Sequence, residues 1–254
     1  MALVTGASSG IGYELAKLFA ADGWDVLLVA RSQDDLEAVA DELTARHGVE
    51  AHVFPQDLAT PDGPRELYEA VTDAGHEVNA LVNNAGFGVY GSFLETDLDA
   101  ELDALTLQTH TITVLTKLFG RDMAARGDGY VLTNASVVGL VPVPSSAVYS
   151  GGKHFARAFS QAVAEELVEE GVTVTTLCPG ATDTPFFERG GFENSGFGPD
   201  DRMSAATVAQ RGYDGLLAGD RLVVPGRENR LFVFLRRLLP RRWHLKIAER
   251  AQRE

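Results

Sequence analysis

The chain has 254 residues, a net charge of −14 and one cysteine, Cys178. This length suits one large α/β domain, so we expect residues 1–254 to fold as a single unit. The negative charge excludes a general nucleic-acid-binding surface, and a lone cysteine excludes an intrachain disulfide or a cysteine-based metal cluster. No apolar stretch is long enough to span a bilayer, and a first strand at Met1 leaves no room for a signal peptide, which favours the cytoplasm.

Apolar runs and helical periodicity alternate along the whole chain. Strands are predicted at Ala2–Val4, Asp25–Ala30, Glu50–Phe54, Asn79–Val82, Tyr130–Asn134, Val172–Cys178 and Arg221–Val224. Helices are predicted at Gly10–Ala21, Ser32–His47, Pro61–Ala74, Asp99–Arg126, Ser146–Glu170 and Ser204–Leu217. This alternation is typical of an α/β fold with a doubly wound parallel sheet of the Rossmann type, in three layers α/β/α.

The alternation lapses between residues 179 and 203, where the sequence is rich in Gly, Pro, Asp and Phe. A loop of that length within a compact domain is usually functional or mobile. Its aromatic residues either pack beneath a covering segment or form an apolar lid over a substrate pocket, and we favour the lid. The residues concerned are Phe186, Phe187, Phe192 and Phe197, and Phe87 and Tyr90 are candidates for the same pocket.

Charge is unevenly distributed, because residues 227–254 contain nine Arg or Lys against three Glu. The apolar run Leu231–Leu235 and the pair Leu238-Leu239 are flanked by Arg236, Arg237, Arg241 and Arg242. This predicts a basic amphipathic C-terminal segment. Such a segment can pack on the acidic body of the protein or on a neighbouring subunit, or it can make peripheral contact with an anionic membrane surface. We favour packing against protein.

Only four of the 22 basic residues are lysines. An acidic, lysine-poor surface suits the acidic proteome of a high-salt cytoplasm, and a GC-rich genome produces the same bias. Composition does not separate the two explanations. The six histidines show no ligand spacing, so no metal site is expected.

A glycine-rich turn, Thr-Gly-Ala-Ser-Ser-Gly-Ile-Gly, joins the first predicted strand to the first predicted helix. Glycines let backbone amides approach a pyrophosphate closely, and the N-terminus of the helix adds partial positive charge. The turn is therefore a candidate dinucleotide-phosphate site. Its candidate cofactor-binding residues are Gly6, Ser8, Ser9, Gly10, Ile11 and Gly12.

The end of the second predicted strand distinguishes the two nicotinamide dinucleotides. An acidic residue there would hold the ribose 2′-hydroxyl of NAD. The sequence instead has Ala30, Arg31 and Ser32, with no carboxylate, and an arginine can pair with a 2′-phosphate. We therefore expect NADP(H), with Arg31 on its 2′-phosphate.

Tyr149 and Lys153 are separated by one helical turn, thirteen residues after Ser136. This spacing places a phenol and an ammonium on the same helix face. A positive charge ~4 Å away favours the phenolate, so we expect Lys153 to lower the pKa of Tyr149 from ~10 towards ~7. A tyrosine with that pKa exchanges protons at neutral pH.

Taken together, in this order and spacing, the motifs resemble those of the short-chain dehydrogenase/reductase family over nearly the whole chain. They are Thr5–Gly12, Asp57-Leu58, Asn83-Asn84-Ala85-Gly86, Ser136, Tyr149–Lys153 and Pro179-Gly180. The resemblance implies that Tyr149 exchanges a proton with the substrate oxygen, that Lys153 tunes Tyr149 and contacts the nicotinamide ribose, and that Ser136 binds the substrate oxygen. It also implies cofactor contacts at Asp57, Leu58, Asn84, Ala85, Gly86, Pro179, Gly180 and Thr182.

One position departs from the family pattern. Where the family usually has an Asn that holds a proton-relay water, the register set by Leu115-Thr116 places Gln108. Gln offers the same amide displaced by one methylene, and a misplacement of ~1 Å can cost about a hundredfold in rate. Gln108 is therefore a candidate relay residue that holds the water, holds it badly, or has lost the role.

These features predict an NADP(H)-dependent oxidoreductase that interconverts a ketone or aldehyde and an alcohol on an apolar small molecule. The alternative is a cofactor-binding regulatory or scaffold protein with impaired catalysis, for which Gln108 is the sole support. The resemblance also implies a homodimer or homotetramer, formed through the two long helices Asp99–Arg126 and Ser146–Glu170.

Overall fold

The computed structural model describes residues 1–192 and 202–236. The main strands are β1 (Ala2–Thr5), β2 (Val26–Ala30), β3 (Ala51–Pro55), β4 (Ala80–Asn83), β5 (Gly129–Asn134) and β6 (Val172–Leu177). Shorter strands follow as β7 (Thr182–Asp183), β8 (Met203–Ser204) and β9 (Leu222–Val223). Seven of them form one parallel sheet in the order β3-β2-β1-β4-β5-β6-β9, while β7 and β8 pair separately.

Helices cover both faces of this sheet. They are α1 (Gly10–Ala21), α2 (Gln33–His47), α3 (Gly63–Asp73), α4 (Leu98–Thr106), α5 (Ile112–Arg126), α6 (Ala147–Leu167), α7 (Phe186–Arg189), α8 (Ala205–Leu217) and α9 (Arg227–Arg236). Because side chains alternate along a strand, Val4 packs with Phe19 of α1 and Val208 of α8, whereas Leu3 packs with Phe119 of α5 on the opposite face. The predicted doubly wound α/β/α arrangement is therefore confirmed.

The parallel sheet has a topological switch point between β1 and β4, where the strand order changes from one side of β1 to the other. Successive strands run outward from β1 through β2 to β3, and the chain then crosses over to place β4 on the other side of β1. In sheets of this kind, ligands bind beyond the carboxyl ends of the strands at such a switch point. The glycine-rich turn after β1 and the segment Asn84–Gly86 after β4 both lie there.

The predicted helix Asp99–Arg126 is interrupted. Helix α4 ends at Thr106, a π-helical turn covers Leu107–Thr111, and α5 begins at Ile112. Side chains in this wide turn bond to distant loops: the hydroxyl of Thr111 donates to the carbonyl of Leu58 at 2.7 Å, and the amide of Gln108 donates to the carbonyl of Phe87 at 2.9 Å. Turns of this type occur mostly at functional sites.

Three other predicted boundaries shift. Helix α3 begins at Gly63 instead of Pro61, because the hydroxyl of Thr60 accepts a hydrogen bond from the amide of Gly63 and holds residues 57–62 as a turn. The predicted helix Ser146–Glu170 is α6 followed by a 3₁₀ turn, Val168–Glu170. The predicted loop 179–203 contains β7, α7 and β8, and its residues 193–201, including Phe197, lie outside the described residues.

The C-terminal segment is described as far as residue 236, so Arg237, Leu238-Leu239, Arg241 and Arg242 lie outside the described residues. Helix α9 leaves Leu231, Phe232, Phe234 and Leu235 exposed. No helix in the two described ranges has the length and apolarity needed to cross a membrane. In the same ranges, no cluster of three or more His, Cys, Asp or Glu side chains is arranged to hold a metal ion.

Candidate active site

A cleft of about 1020 Å³ lies at the carboxyl ends of the central strands. Most of the predicted site residues line it. They are Gly6, Ser8, Ser9, Gly10, Ile11, Arg31, Asp57, Leu58, Asn84, Ala85, Gly86, Ser136, Tyr149, Lys153, Pro179, Gly180 and Thr182. Gly12 and Gln108 are not among the lining residues. A pocket of this size and position fits a dinucleotide together with a small substrate.

The glycine-rich turn takes its shape from two glycines in the left-handed region, Gly6 (φ 68°) and Gly10 (φ 58°). Helix α1 starts at Gly10, so its unpaired N-terminal amides face the cleft, as an anion site requires. Gly12 has a packing function: a side chain there would collide with the carbonyl oxygen of Gly6 and the amide of Asn84. Gly12 therefore lets the helix close against the loop without itself lining the cleft.

A chain of hydrogen bonds connects this loop to the catalytic candidates. The side-chain amide of Asn84 donates to the carbonyl of Thr5 at 2.9 Å, and Asn134 donates to the side-chain oxygen of Asn84 at 2.9 Å. The ammonium of Lys153 donates to the carbonyl of Asn134 at 2.7 Å. Strands β1, β4 and β5 and helix α6 are thus joined through polar groups directly beneath the cleft.

One end of the cleft is built from the loops after β2 and β3. Arg31 is exposed there, and no ion-pair partner for it lies within residues 1–192 or 202–236. Asp57 accepts a hydrogen bond from the amide of Ala59 at 3.0 Å, which fixes the loop that presents the buried Leu58. Asp35, in the first turn of α2, also lines this end and was not singled out from the sequence.

Ser136, Tyr149 and Lys153 converge on the opposite wall. Ser136 follows β5 and lies within hydrogen-bonding reach of Tyr149, while Lys153 is buried one turn further along α6. The ammonium nitrogen of Lys153 lies 5.8 Å from the centre of the Tyr149 ring. A phenol, a hydroxyl and a buried ammonium therefore share one site.

The prediction that the pKa of Tyr149 is lowered is wrong for this structure. Burial raises the pKa of Tyr149 above its ordinary value, and the contact with Ser136 lowers it only in part. The Lys153 ammonium nitrogen lies 5.8 Å from the centre of the ring, and burial outweighs any lowering of the pKa by its charge. Burial also lowers the pKa of Lys153 to about 8, which weakens its tendency to remain charged.

Gln108 lies behind the cleft wall. Its side chain is fully buried, its amide nitrogen is held by the carbonyl of Phe87, and its Oε1 has no hydrogen-bond partner within the described ranges. It packs against Gly152, the residue that precedes Lys153. The predicted relay residue is thus adjacent to the catalytic helix, in the π-helical turn.

The substrate half of the cleft is apolar. Aromatic rings of the segment around α7 surround Tyr149: the centre of Phe186 lies 5.3 Å and that of Phe192 5.8 Å from the Tyr149 ring. Tyr90 packs on Phe192 at 5.4 Å. Further lining residues that sequence analysis did not single out are Val138, Val141, Val143, Ser146, Arg189, Asn229 and Phe232. The apolar run after Ser136 was a usable signal for the valines, whereas nothing local marked Asn229.

The end of the cleft that is expected to hold the nicotinamide follows β6. Pro179, Gly180 and Thr182 line it, and the hydroxyl of the buried Thr182 donates to the carbonyl of Gly180 at 3.0 Å. Asn229 of α9 packs so closely on Gly180 that a side chain at Gly180 would collide with it. The C-terminal helix therefore closes this end of the cleft.

Comparison with known proteins agrees with this geometry. A model of the short chain dehydrogenase family matches residues 1–191. The chain is 30% identical over 266 residues to dehydrogenase/reductase SDR family member 7B of Mus musculus, covering 99% of this chain and 81% of the mouse protein. It is 35% identical over 176 residues to a very-long-chain 3-oxoacyl-CoA reductase of Neurospora crassa, covering 68% of this chain and 53% of the fungal protein.

Among solved structures, a short-chain dehydrogenase from Sphingobium yanoikuyae in complex with NADPH superposes with a TM-score of 0.83 at 28% identity, covering 93% of this chain and 94% of that chain. The chain spans little more than half the length of several curated relatives that it matches. It belongs to the short-chain dehydrogenase/reductase family of oxidoreductases.

Proposed function

We propose that the protein is an NADP(H)-dependent reductase that converts an apolar ketone or aldehyde to an alcohol. The observation that carries this proposal is the shared cleft, in which Ser136, Tyr149 and Lys153 line the wall opposite the glycine-rich turn and Arg31. Bound NADPH would supply the hydride. The protein would bind and orient both molecules and deliver the proton.

The proton step follows from the state of Tyr149. Because burial raises its pKa, the phenol is protonated at neutral pH and is a general acid towards a carbonyl oxygen. Ser136 would donate a second hydrogen bond to the same oxygen and stabilise the charge that develops on it. Alcohol oxidation would need the phenolate, which burial disfavours, so the pKa of Tyr149 supports the reductive direction.

Arg31 supports a preference for NADP(H), since no acidic side chain follows β2 directly and the guanidinium is free to bind a 2′-phosphate. The similar Sphingobium structure contains NADPH. The walls formed by Phe186, Phe192 and the valines after Ser136 favour an apolar substrate.

Replacing Tyr149 by Phe tests the proposal. The variant removes the proton donor while keeping the aromatic packing on Phe186, so carbonyl reduction should fall by at least about a hundredfold while NADPH still binds. Turnover is followed by NADPH absorbance and binding by NADPH fluorescence. Full activity of the variant would rule out Tyr149 as the acid.

We also propose a homo-oligomer. Leu98, Leu102 and Leu105 form an exposed apolar stripe on α4, and Phe155 is exposed on α6. These helices belong to the two long segments expected to pair with a neighbouring subunit, and such stripes are usually covered in an assembly. Sedimentation of the protein and of a Leu102→Asp variant would test this, because a monomer in both cases contradicts it.

A further inference from the structure

Arg189 lies at the mouth of the substrate half of the cleft. It is the last residue of α7, it is exposed, and it lines the cleft together with Phe186 and Phe187 of the same helix. Of the arginines within the described ranges, Arg31 and Arg189 line this cleft. Arg31 lies at the nucleotide end, so Arg189 is the arginine on the substrate side.

The guanidinium of Arg189 has no ion-pair partner in residues 1–192 or 202–236, although the chain carries 36 acidic residues. A nearby arginine behaves differently, because Arg202 stacks over the ring of Phe187 at 3.9 Å from its centre. Arg189 therefore places an uncommitted positive charge beside an apolar wall.

The distance of this charge from the reacting group follows from two contacts. The centres of the Tyr149 and Phe186 rings are 5.3 Å apart, and Phe186 and Arg189 are the first and last residues of the single turn of α7. Residues so spaced have Cβ atoms about 5–6 Å apart. The Cβ atom of Arg189 thus lies on the order of 10 Å from the Tyr149 ring.

We propose that Arg189 binds a carboxylate at the far end of an otherwise apolar carbonyl substrate. The inference rests on the proposed carbonyl reduction at Tyr149 and names the class of substrate that the site selects. The aromatic and valine walls would bury the alkyl portion, and the planar guanidinium would bind the carboxylate through paired hydrogen bonds. A short keto acid, whose carboxylate lies only a few carbon atoms from its ketone, cannot reach both groups.

The test compares an oxodecanoic acid, whose ketone lies next to the terminal methyl group, with its methyl ester. We expect the acid to have about tenfold higher kcat/KM than the ester, mainly through a lower KM, and a preference that weakens as salt is added. Levulinic acid, a short keto acid, should show no such advantage. In Arg189→Gln, kcat/KM for the long acid should fall about tenfold relative to that for the ester, so that the preference for the acid disappears.

Arg211→Gln is the matched control, because it removes the same charge from an exposed position on α8 that does not line the cleft. It should keep the preference for the acid. Equal kcat/KM for acid and ester in the unsubstituted protein, or an equal loss for both in Arg189→Gln, would overturn the proposal. Absence of turnover for both the acid and the ester would contradict the proposed reductase activity itself, and calorimetric binding of the acid to the NADPH-loaded protein, compared with Arg189→Gln, would then decide whether Arg189 binds it.

Discussion

A Cβ atom at Gly152 would lie 2.6 Å from Oε1 of Gln108 and 3.0 Å from its Cβ. The glycine before the catalytic lysine therefore leaves the space that the longer amide side chain occupies. Gln108 cannot move away freely, because its amide nitrogen is bonded to the carbonyl of Phe87. The position that departs from the family pattern is thus fitted to its neighbour on α6.

Two adjacent glycines of α6 should respond oppositely to substitution by alanine. Gly151→Ala meets open space and should raise the free energy of unfolding by about 0.5–1 kcal/mol, the usual gain for Gly to Ala within a helix. Gly152→Ala should lower it by about 1–3 kcal/mol, because the added methyl overpacks Gln108. Urea denaturation measures both. A higher free energy of unfolding for Gly152→Ala would show that the side chain of Gln108 moves aside without an energetic cost.

Gln108→Asn distinguishes an active enzyme from a binding protein with impaired catalysis. In this structure the shorter side chain would lose its reach to the carbonyl of Phe87 and leave a void against Gly152. We therefore expect turnover of a ketone panel to fall by about tenfold or more. Faster turnover in the variant would instead indicate that Gln impairs the native site, and no turnover in either form would favour the binding-protein alternative.

Arg31→Gln should change the choice of cofactor. Removal of the guanidinium should raise the KM for NADPH by about ten- to a hundredfold and leave the KM for NADH nearly unchanged. Asp35→Asn provides the opposite control at the same end of the cleft, since loss of a nearby carboxylate should favour the phosphorylated cofactor. Equal effects of Arg31→Gln on the two cofactors would refute a 2′-phosphate contact.

The buried ammonium of Lys153 should destabilise the fold at neutral pH. Its pKa of about 8 in the folded protein is below the ordinary value of 10.5, so the unfolded chain binds more protons between these two values. The free energy of unfolding should therefore rise with pH across that window, by on the order of 3 kcal/mol at most.

Lys153→Met should remove this pH dependence and raise the free energy of unfolding at pH 7. The gain is reduced by the cost of leaving the carbonyl of Asn134 without its hydrogen-bond donor. Urea titrations at several pH values, taken as a difference between the two proteins, isolate this effect from other groups. Parallel pH profiles for the two proteins would contradict it.

The sequence predicted the sheet and most of the cleft because both follow from local patterns. Strand alternation placed the turn after β1 and the motif Asn84–Gly86 at the same edge, where they meet. The π-helical turn at Gln108 was not predictable in this way, since it depends on the bonds from Thr111 to Leu58 and from Gln108 to Phe87, which span 53 and 21 positions. The pKa of Tyr149 was also missed, because burial by Phe186 and Phe192 depends on tertiary packing.

The chain of hydrogen bonds beneath the cleft determines when the site exists during synthesis. The hydroxyl of Thr5 accepts a hydrogen bond from the backbone amide of Asn84, 79 positions further along the chain. The side chain of Asn84 in turn accepts one from Asn134, another 50 positions along. In a nascent chain whose glycine-rich turn has emerged from the ribosome, the dinucleotide site is therefore incomplete until Lys153 has emerged as well. With the proposed dinucleotide site, we therefore expect that truncated translation products lacking Lys153 gain no protection against degradation from the cofactor.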